Sequence, residues 1–255
     1  MKIATWNVNS IRSRLDRLSA WLQKTAPDVV CLQELKATNE QFPHEAIQAA
    51  GYHAAVHGQR IYNGVAILSR TEPEDVVIGI PDFNDAQARL LSAEIEGIGV
   101  ASVYVPNGQV VGSDKYAYKL DWLRRLKGYL ESRYRPGDPL VLCGDFNIAR
   151  DERDVARPAA WAGSVLFHET ARQAFEELLA WGLVDVVRKH HPDEQLYSWW
   201  DYRMLSFPKN DGLRIDYLLA TESLAARSTS AAIDREERKG EKPSDHAPVV
   251  AEFRP

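Results

Sequence analysis

Lys2-Ile3-Ala4-Thr5-Trp6-Asn7-Val8 and, some twenty residues on, Asp28-Val29-Val30-Cys31-Leu32-Gln33-Glu34 decide the fold. The first run alternates and is rich in Ile, Thr, Trp and Val, which suits a pleated strand. Ile11, Leu15, Leu18 and Leu22 then recur at helical spacing, and Pro27, which has no amide donor, ends that pattern. The second run is a continuous apolar strand, as expected where both faces of a sheet are covered. Strand, helix and strand in this order predict a right-handed crossover between two parallel strands. Both strands then release polar residues, Asn7 and Glu34, at one sheet edge, and carboxyl edges are where open α/β sheets collect functional groups.

Working outward, residues 51–56 and 65–69 with Asn63-Gly64 between them, and 90–96 and 99–105 around Gly97, read as antiparallel hairpins. A helix over about 116–130 carries Leu120, Leu123, Leu126 and Leu130 on one side, and Pro136-Gly137-Asp138-Pro139 turns the chain into a strand at 140–143. Residues 148–167 have no clear period and contain Pro158 and Gly163, so they form a long loop directly after a candidate site residue. Residues 170–181 predict a helix closed by Gly182, and 215–220 and 248–253 predict the last two strands. With no internal repeat, low-complexity tract or linker, one α/β domain over 1–255 is expected. Its strand signals favour two packed mixed β-sheets flanked by helices.

A chain of 255 residues that is 45% hydrophobic can bury one large core. No apolar run approaches the ~18 residues that span a bilayer, and the chain opens on a strand pattern instead of a leader, so a cytoplasmic protein with no membrane partner is expected. Cys31 and Cys143 both sit inside apolar runs and read as small core hydrophobes, which suits a reducing compartment. A net charge of −5 excludes holding nucleic acid by bulk basicity and leaves local stripes as the means.

Two other short runs carry the chemistry. Gly144-Asp145-Phe146-Asn147 and Ser244-Asp245-His246 each lie beside a strand-like stretch. Asp, Asn and His are costly to bury there unless something hydrogen-bonds or coordinates them. The economical reading is a metal-assisted phosphodiester hydrolase.

Six blocks extend this reading. Trp6-Asn7-Val8-Asn9-Ser10-Ile11-Arg12, Leu32-Gln33-Glu34-Leu35-Lys36, Tyr104-Val105-Pro106-Asn107-Gly108, Gly144 through Ala149, Leu213-Arg214-Ile215-Asp216-Tyr217 and Ser244 through Pro248 cover essentially the whole chain. Together, and in this order, they resemble the exonuclease III family of abasic-site endonucleases. The resemblance implies the endonuclease/exonuclease/phosphatase fold, a four-layer α/β sandwich with one active site at an edge of the two sheets.

The resemblance also implies residue roles. Glu34 resembles the main divalent-metal ligand, with Asp245 as second carboxylate and Asn9 nearby, where some relatives carry Asp. A hard cation, Mg2+ with Mn2+ as the alternative, wants one or two such carboxylates. Asp145 resembles the residue that positions or deprotonates the attacking water, Asn147 projects to the same side, and Asn7 orients Asp145 or the phosphate. His246 resembles a donor to a non-bridging phosphate oxygen, held by Asp216, and Tyr104 a phosphate-proximal tyrosine. Tyr197 through Arg203 resembles a loop that walls an abasic-sugar pocket, with Trp199, Leu213 and Ile215 as walls and one of Trp199 and Trp200 filling core. Asn107, Lys115, Lys119, Arg150 and Arg203 complete the expected substrate contacts, the charged ones to phosphates.

The implied activity is incision of duplex DNA 5′ to abasic sites, leaving a 3′ hydroxyl, with 3′ to 5′ exonuclease and 3′ phosphatase action, by a monomer acting on abasic sites or 3′ ends. Two alternatives stay open: an inositol-phosphate or sphingomyelin phosphodiesterase with the same machinery, and a catalytically silent DNA-binding module. A serine hydrolase is excluded by the lack of a Gly-x-Ser-x-Gly elbow.

Overall fold

The computed structural model describes residues 1–255. In chain order the strands are β1 (Lys2–Asn7), β2 (Val29–Gln33), β3 (His53–His57), β4 (Val65–Ser69), β5 (Glu74–Ile78), β6 (Leu90–Ile95), β7 (Ile98–Tyr104), β8 (Leu140–Asp145), β9 (Leu183–Asp185), β10 (Asp216–Thr221), β11 (Ser228–Ile233) and β12 (Val249–Phe253). The helices are α1 (Leu15–Thr25), α2 (His44–Ala49), α3 (Asp114–Arg133), α4 (Pro158–Trp161), α5 (Glu169–Leu179), α6 (Val186–His190) and α7 (Glu222–Ala225). No helix is long and apolar enough to cross a membrane.

Two six-stranded mixed sheets result, ordered β11-β12-β1-β2-β4-β3 and β5-β6-β7-β8-β10-β9. β1 and β2 are parallel neighbours across α1, as the opening sequence predicts, and β7 and β8 are parallel neighbours across α3. Every other neighbouring pair is antiparallel. The two sheets therefore share one topology, a repeat that the sequence does not display because different side chains fill it.

Four layers follow from what each face buries. Ile3, Val29, Cys31 and Ile67 of the first sheet pack against Val100, Val141, Cys143 and Leu218 of the second. Outside the first sheet, Leu18, Trp21 and Leu22 of α1 cover Ala4, Trp6, Val30 and Leu32. Outside the second, Leu123, Leu126 and Leu130 of α3 and Phe175 of α5 cover Ala101, Val103 and Leu142. Cys31 and Cys143 are free and buried in the central layer. One polar bolt crosses it just below the site: Gln33 Nε2 donates to Ser102 Oγ at 3.1 Å while Gln33 Oε1 accepts from Thr5 at 3.1 Å.

The β6–β7 turn is Glu96-Gly97, both at positive φ, the mirror-image turn that matches strand twist. The β3–β4 connection differs from its expectation. Asn63 and Gly64 do adopt positive φ, but they close a seven-residue loop, 58–64, with Ile61 and Tyr62 exposed at its tip. Strands β5, β9 and β11 and helix α2 lack a clear hydrophobic period; β5 is an edge strand whose residues are mostly exposed. The 148–167 stretch, expected as loop, contains a 3-10 turn at Glu152–Asp154 and α4.

Candidate active site

The parallel pairs place their carboxyl ends on one rim. Asn7 ends β1 beside Gln33 at the end of β2, and Asp145 ends β8 beside Tyr104 at the end of β7. Asp216, opening β10, pairs with Asp145. Glycine before Asp145 is dictated by packing: Gly144 has φ +154, and a Cβ there would lie 1.9 Å from the Val103 carbonyl oxygen. Asn9, Glu34, Lys36 and Asn147 all adopt positive φ at this rim. Non-glycine residues held in that region carry strain, which clusters at functional sites.

Asn7 is the hub. Its Nδ2 donates to Glu34 Oε1 and to Asp145 Oδ2, each at 2.9 Å. The Asn147 amide donates to the other Asp145 oxygen at 2.9 Å, so both are oriented. Asn147 Nδ2 donates to the Val105 carbonyl and its Oδ1 accepts from Asn107 Nδ2, both at 3.0 Å. Ser244 Oγ donates to the Asn7 carbonyl at 2.7 Å, joining the C-terminal block to β1.

Opposite Asn7, His246 Nδ1 lies 2.8 Å from Asp216 Oδ2, and His246 Nε2 faces Asp145 Oδ2 at 3.7 Å. Ser198 Oγ donates to the same Asp216 oxygen at 2.6 Å and accepts from the Ile215 and Asp216 amides. Burial, with the nearby Asp216 charge, pushes Asp145 up to about 7 against the pull of His246. Burial alone would lower His246, but the Asp216 and Asp145 carboxylates outweigh it and raise the imidazole to about 10. The ring is therefore a buried imidazolium at neutral pH. Burial and the neighbouring Glu34 and Asp145 hold the Tyr104 hydroxyl well above its ordinary range, so it is a donor.

The metal candidates form a second focus. Asn9 Nδ2 donates to Asp245 Oδ1 at 2.9 Å and Trp199 Nε1 to Asp245 Oδ2 at 3.0 Å. Burial opposes its charge, but His246 and these two donors hold Asp245 below the usual carboxylate range. Glu34 Oε2 and Asn9 Oδ1 converge on one point, held here by the Lys36 ammonium at 2.9 and 2.5 Å. Glu34, Asp145 and His246 also present donor atoms within 4.8 Å of one another. Glu34 belongs to both groupings. Four carboxyl groups, Glu34, Asp145, Asp216 and Asp245, face one imidazole and one ammonium, and this oxygen-rich, anion-heavy donor set fits a hard divalent cation.

The expected substrate contacts divide. Trp199 is half-buried and meets Trp161 edge-on at 6.0 Å, whereas Trp200 is a core residue. Leu213 and Ile215 are 0% and 2% exposed, so they form a floor and the accessible rim above them is Trp161, Val165 and Trp199. Lys115 lines an open cavity with Tyr62, Arg89, Tyr104 and Asn107. Arg150 is paired with Glu176, and Arg203 with Asp201. Lys119 corrects its expected place on a phosphate: it is 0% exposed and its Nζ donates to three backbone carbonyls, so it does not reach the surface.

Residues missed as site members are Lys36, Ser198, Ser244, Trp161 and Val165. Lys36, Ser198 and Ser244 stood inside quoted motifs, and only three-dimensional hydrogen bonding distinguishes them from their neighbours. A buried ion network also went unread: Asp154, 0% exposed, accepts from Arg188 at 2.5 Å and Arg214 at 2.7 Å, tying the 148–167 segment to the residue two before Asp216.

Residues 4–246 match the model of the endonuclease/exonuclease/phosphatase family. The chain is 36% identical to an exodeoxyribonuclease III from Haemophilus influenzae, with both proteins covered in full. Its structure matches that of an AP endonuclease from Archaeoglobus fulgidus with a TM-score of 0.97 at 45% identity, over 99% of each chain. It matches the 3′ phosphatase NExo from Neisseria bound to a product DNA hairpin with a TM-score of 0.96 at 42% identity, over 100% of this chain and 99% of that one. The chain belongs to the endonuclease/exonuclease/phosphatase family.

Proposed function

We infer that the chain is a metal-dependent DNA repair phosphodiesterase that cleaves duplex DNA 5′ to abasic sites, leaving a 3′ hydroxyl, and trims blocked or recessed 3′ ends. The observation that carries this is the meeting of Asn7, Glu34, Asp145, Asn147, Asp216 and His246, drawn from both sheets, at one rim. The relatives' activities, an exodeoxyribonuclease III, an AP endonuclease and a 3′ phosphatase, support duplex DNA as the substrate.

In this reading Asp145, raised by burial into the range where a base accepts a proton near neutral pH, takes a proton from the attacking water at Oδ2. Asn7 and the Asn147 amide fix the direction of that carboxylate. The His246 imidazolium, held by Asp216, donates to a non-bridging oxygen as negative charge develops there, and the Tyr104 hydroxyl donates to another. Glu34 with Asn9 and Asp245, or Glu34 with Asp145, would hold the cation, Mg2+ with Mn2+ as alternative. Once bound, it supplies neutralisation of phosphate charge and stabilisation of the leaving 3′ oxygen. Trp161, Val165 and Trp199 above Leu213 and Ile215 offer an apolar recess for a deoxyribose without a base. The whole of 1–255 acts as one domain and as a cytoplasmic monomer.

The test is a cleavage assay on three duplexes, carrying an abasic analogue, a recessed 3′ end or a 3′ phosphate, each with Mg2+ and with EDTA. Metal-dependent cleavage is expected. No cleavage of any of the three in Mg2+, or undiminished cleavage in EDTA, overturns the reading.

A further inference from the structure

Lys119 is the only buried residue of α3 that carries a charge, and it has no carboxylate partner. Its stem passes Gly108, where an added Cβ would lie 3.1 Å from Lys119 Cδ, and its Nζ ends beneath the rim. There it donates to Asn147 O at 2.7 Å, Val165 O at 2.9 Å and Asn107 O at 3.2 Å. An ammonium has three N–H donors, and all three are used.

The three acceptors belong to three different loops. Asn107 lies between β7 and α3, Asn147 directly after β8, and Val165 between α4 and α5. Above the ammonium, the side chains of Asn107 and Asn147 are themselves bonded, and the Asn147 amide orients Asp145. Val165 belongs to the apolar rim with Trp161 and Trp199. One side chain thus holds the backbone under Asp145 and under the recess at a common height. Removing it leaves three carbonyls without this donor and frees the loops to shift against one another, and displacements of about an ångström at a reacting group cost rates on the order of 100-fold.

We propose that Lys119 is a positioning residue for phosphodiester cleavage: its ammonium fixes the Asn107, Asn147 and Val165 loops relative to Asp145 and touches no part of the duplex. The inference rests on Asp145 acting on the attacking water. Burial opposes the charge on Lys119 and lowers its pKa, against the attraction of Asp145, and the three carbonyl oxygens are the groups that favour the ammonium there.

The test compares wild type, Lys119→Met and Lys115→Met as full-length proteins on a duplex carrying a tetrahydrofuran abasic analogue. Turnover is measured in Mg2+, and duplex affinity in EDTA across a salt series. Lys119→Met should lose about 100-fold in kcat with KM within 3-fold of wild type, and keep the wild-type slope of log affinity against log salt. Lys115→Met, the control for a phosphate contact, should make that slope shallower by about one. A shallower slope or a raised KM with intact kcat in Lys119→Met would put Lys119 on the DNA; kcat within 3-fold of wild type would make the tripod irrelevant to chemistry. Either result overturns the inference while the wild-type, metal-dependent cleavage still stands. Should Lys119→Met not unfold cooperatively, Lys119→Gln, which keeps two N–H donors, is judged by the same kcat, KM and slope.

Discussion

Asp216 Oδ2 accepts from His246 Nδ1 at 2.8 Å, and it does so at the opening of the strand that pairs with the end of the Asp145 strand. The pair has no serine to serve; its ring instead points Nε2 toward Asp145. In the proposed mechanism the pair keeps a positive imidazolium beside the scissile group.

Asp216→Asn tests that role. Removing the charge removes the largest contribution holding the imidazole up, so His246 should lose its proton at lower pH. We expect kcat to fall by about 100-fold or more at pH 7.5, with the alkaline limb of the pH–rate profile moving to lower pH. An unchanged limb would mean that His246 does not act as a cation.

Without metal, stability should decline from about pH 4 to pH 7. Asp145 rises from 3.8 to about 7 on folding, so the folded state holds more protons than the unfolded chain through this window; above it the raised His246 and the lowered Lys119 oppose one another. Stability held by a raised pKa is present below the unfolded value and lost as pH climbs through the folded one, here by a few kcal/mol at most. Urea midpoints in EDTA should fall accordingly. Asp145→Asn, which removes this titration, should flatten the profile, and excess Mg2+, which favours ionised carboxylates, should oppose the decline. Midpoints that rise with pH across this window in EDTA would contradict the Asp145 shift.

Much of this site was legible in the chain because its residues sit at the ends of strongly patterned strands. Asn7 and Glu34 follow two unmistakable runs, and a one-residue slip would have buried the wrong face. Asp145 was readable because it follows the apolar run 140–143, while the packing cause of its preceding glycine shows only in the structure. What escaped has no local signal. Strand β5 is exposed on an edge, β9 has three residues, and Asp154 looks like any loop aspartate until Arg188 and Arg214 close around it. Lys119 was misread because its surroundings at Lys115, Arg124 and Arg125 suggest a basic surface, while the helix turns that one lysine inward.

Asp154→Ala should be strongly destabilising. Arg214, itself fully buried, would keep only Asp185, which its Nη2 approaches at 2.7 Å, and Arg188 would lose its carboxylate. Breaking a buried ion network by one partner leaves an uncompensated charge and costs about 3–5 kcal/mol. The urea midpoint should drop by the corresponding amount. A loss below about 1 kcal/mol would mean that water reaches the guanidinium groups.

Trp199→Ala separates the two DNA chemistries. The indole does two things: its face joins Trp161 above Leu213 and Ile215, and its Nε1 donates to Asp245. Only the first should matter to an extrahelical sugar, whereas in the proposed mechanism both substrates need an intact Asp245. Trp199→Ala should therefore reduce abasic incision at least 10-fold more than 3′ phosphate removal, since loss of an aromatic wall costs on the order of 1–3 kcal/mol of selective binding. Trp199→Phe keeps the ring and deletes only the donor, so it should recover most abasic incision. Equal losses on both substrates in Trp199→Ala, undiminished in Trp199→Phe, would assign the tryptophan to holding Asp245 and leave the recess without its wall.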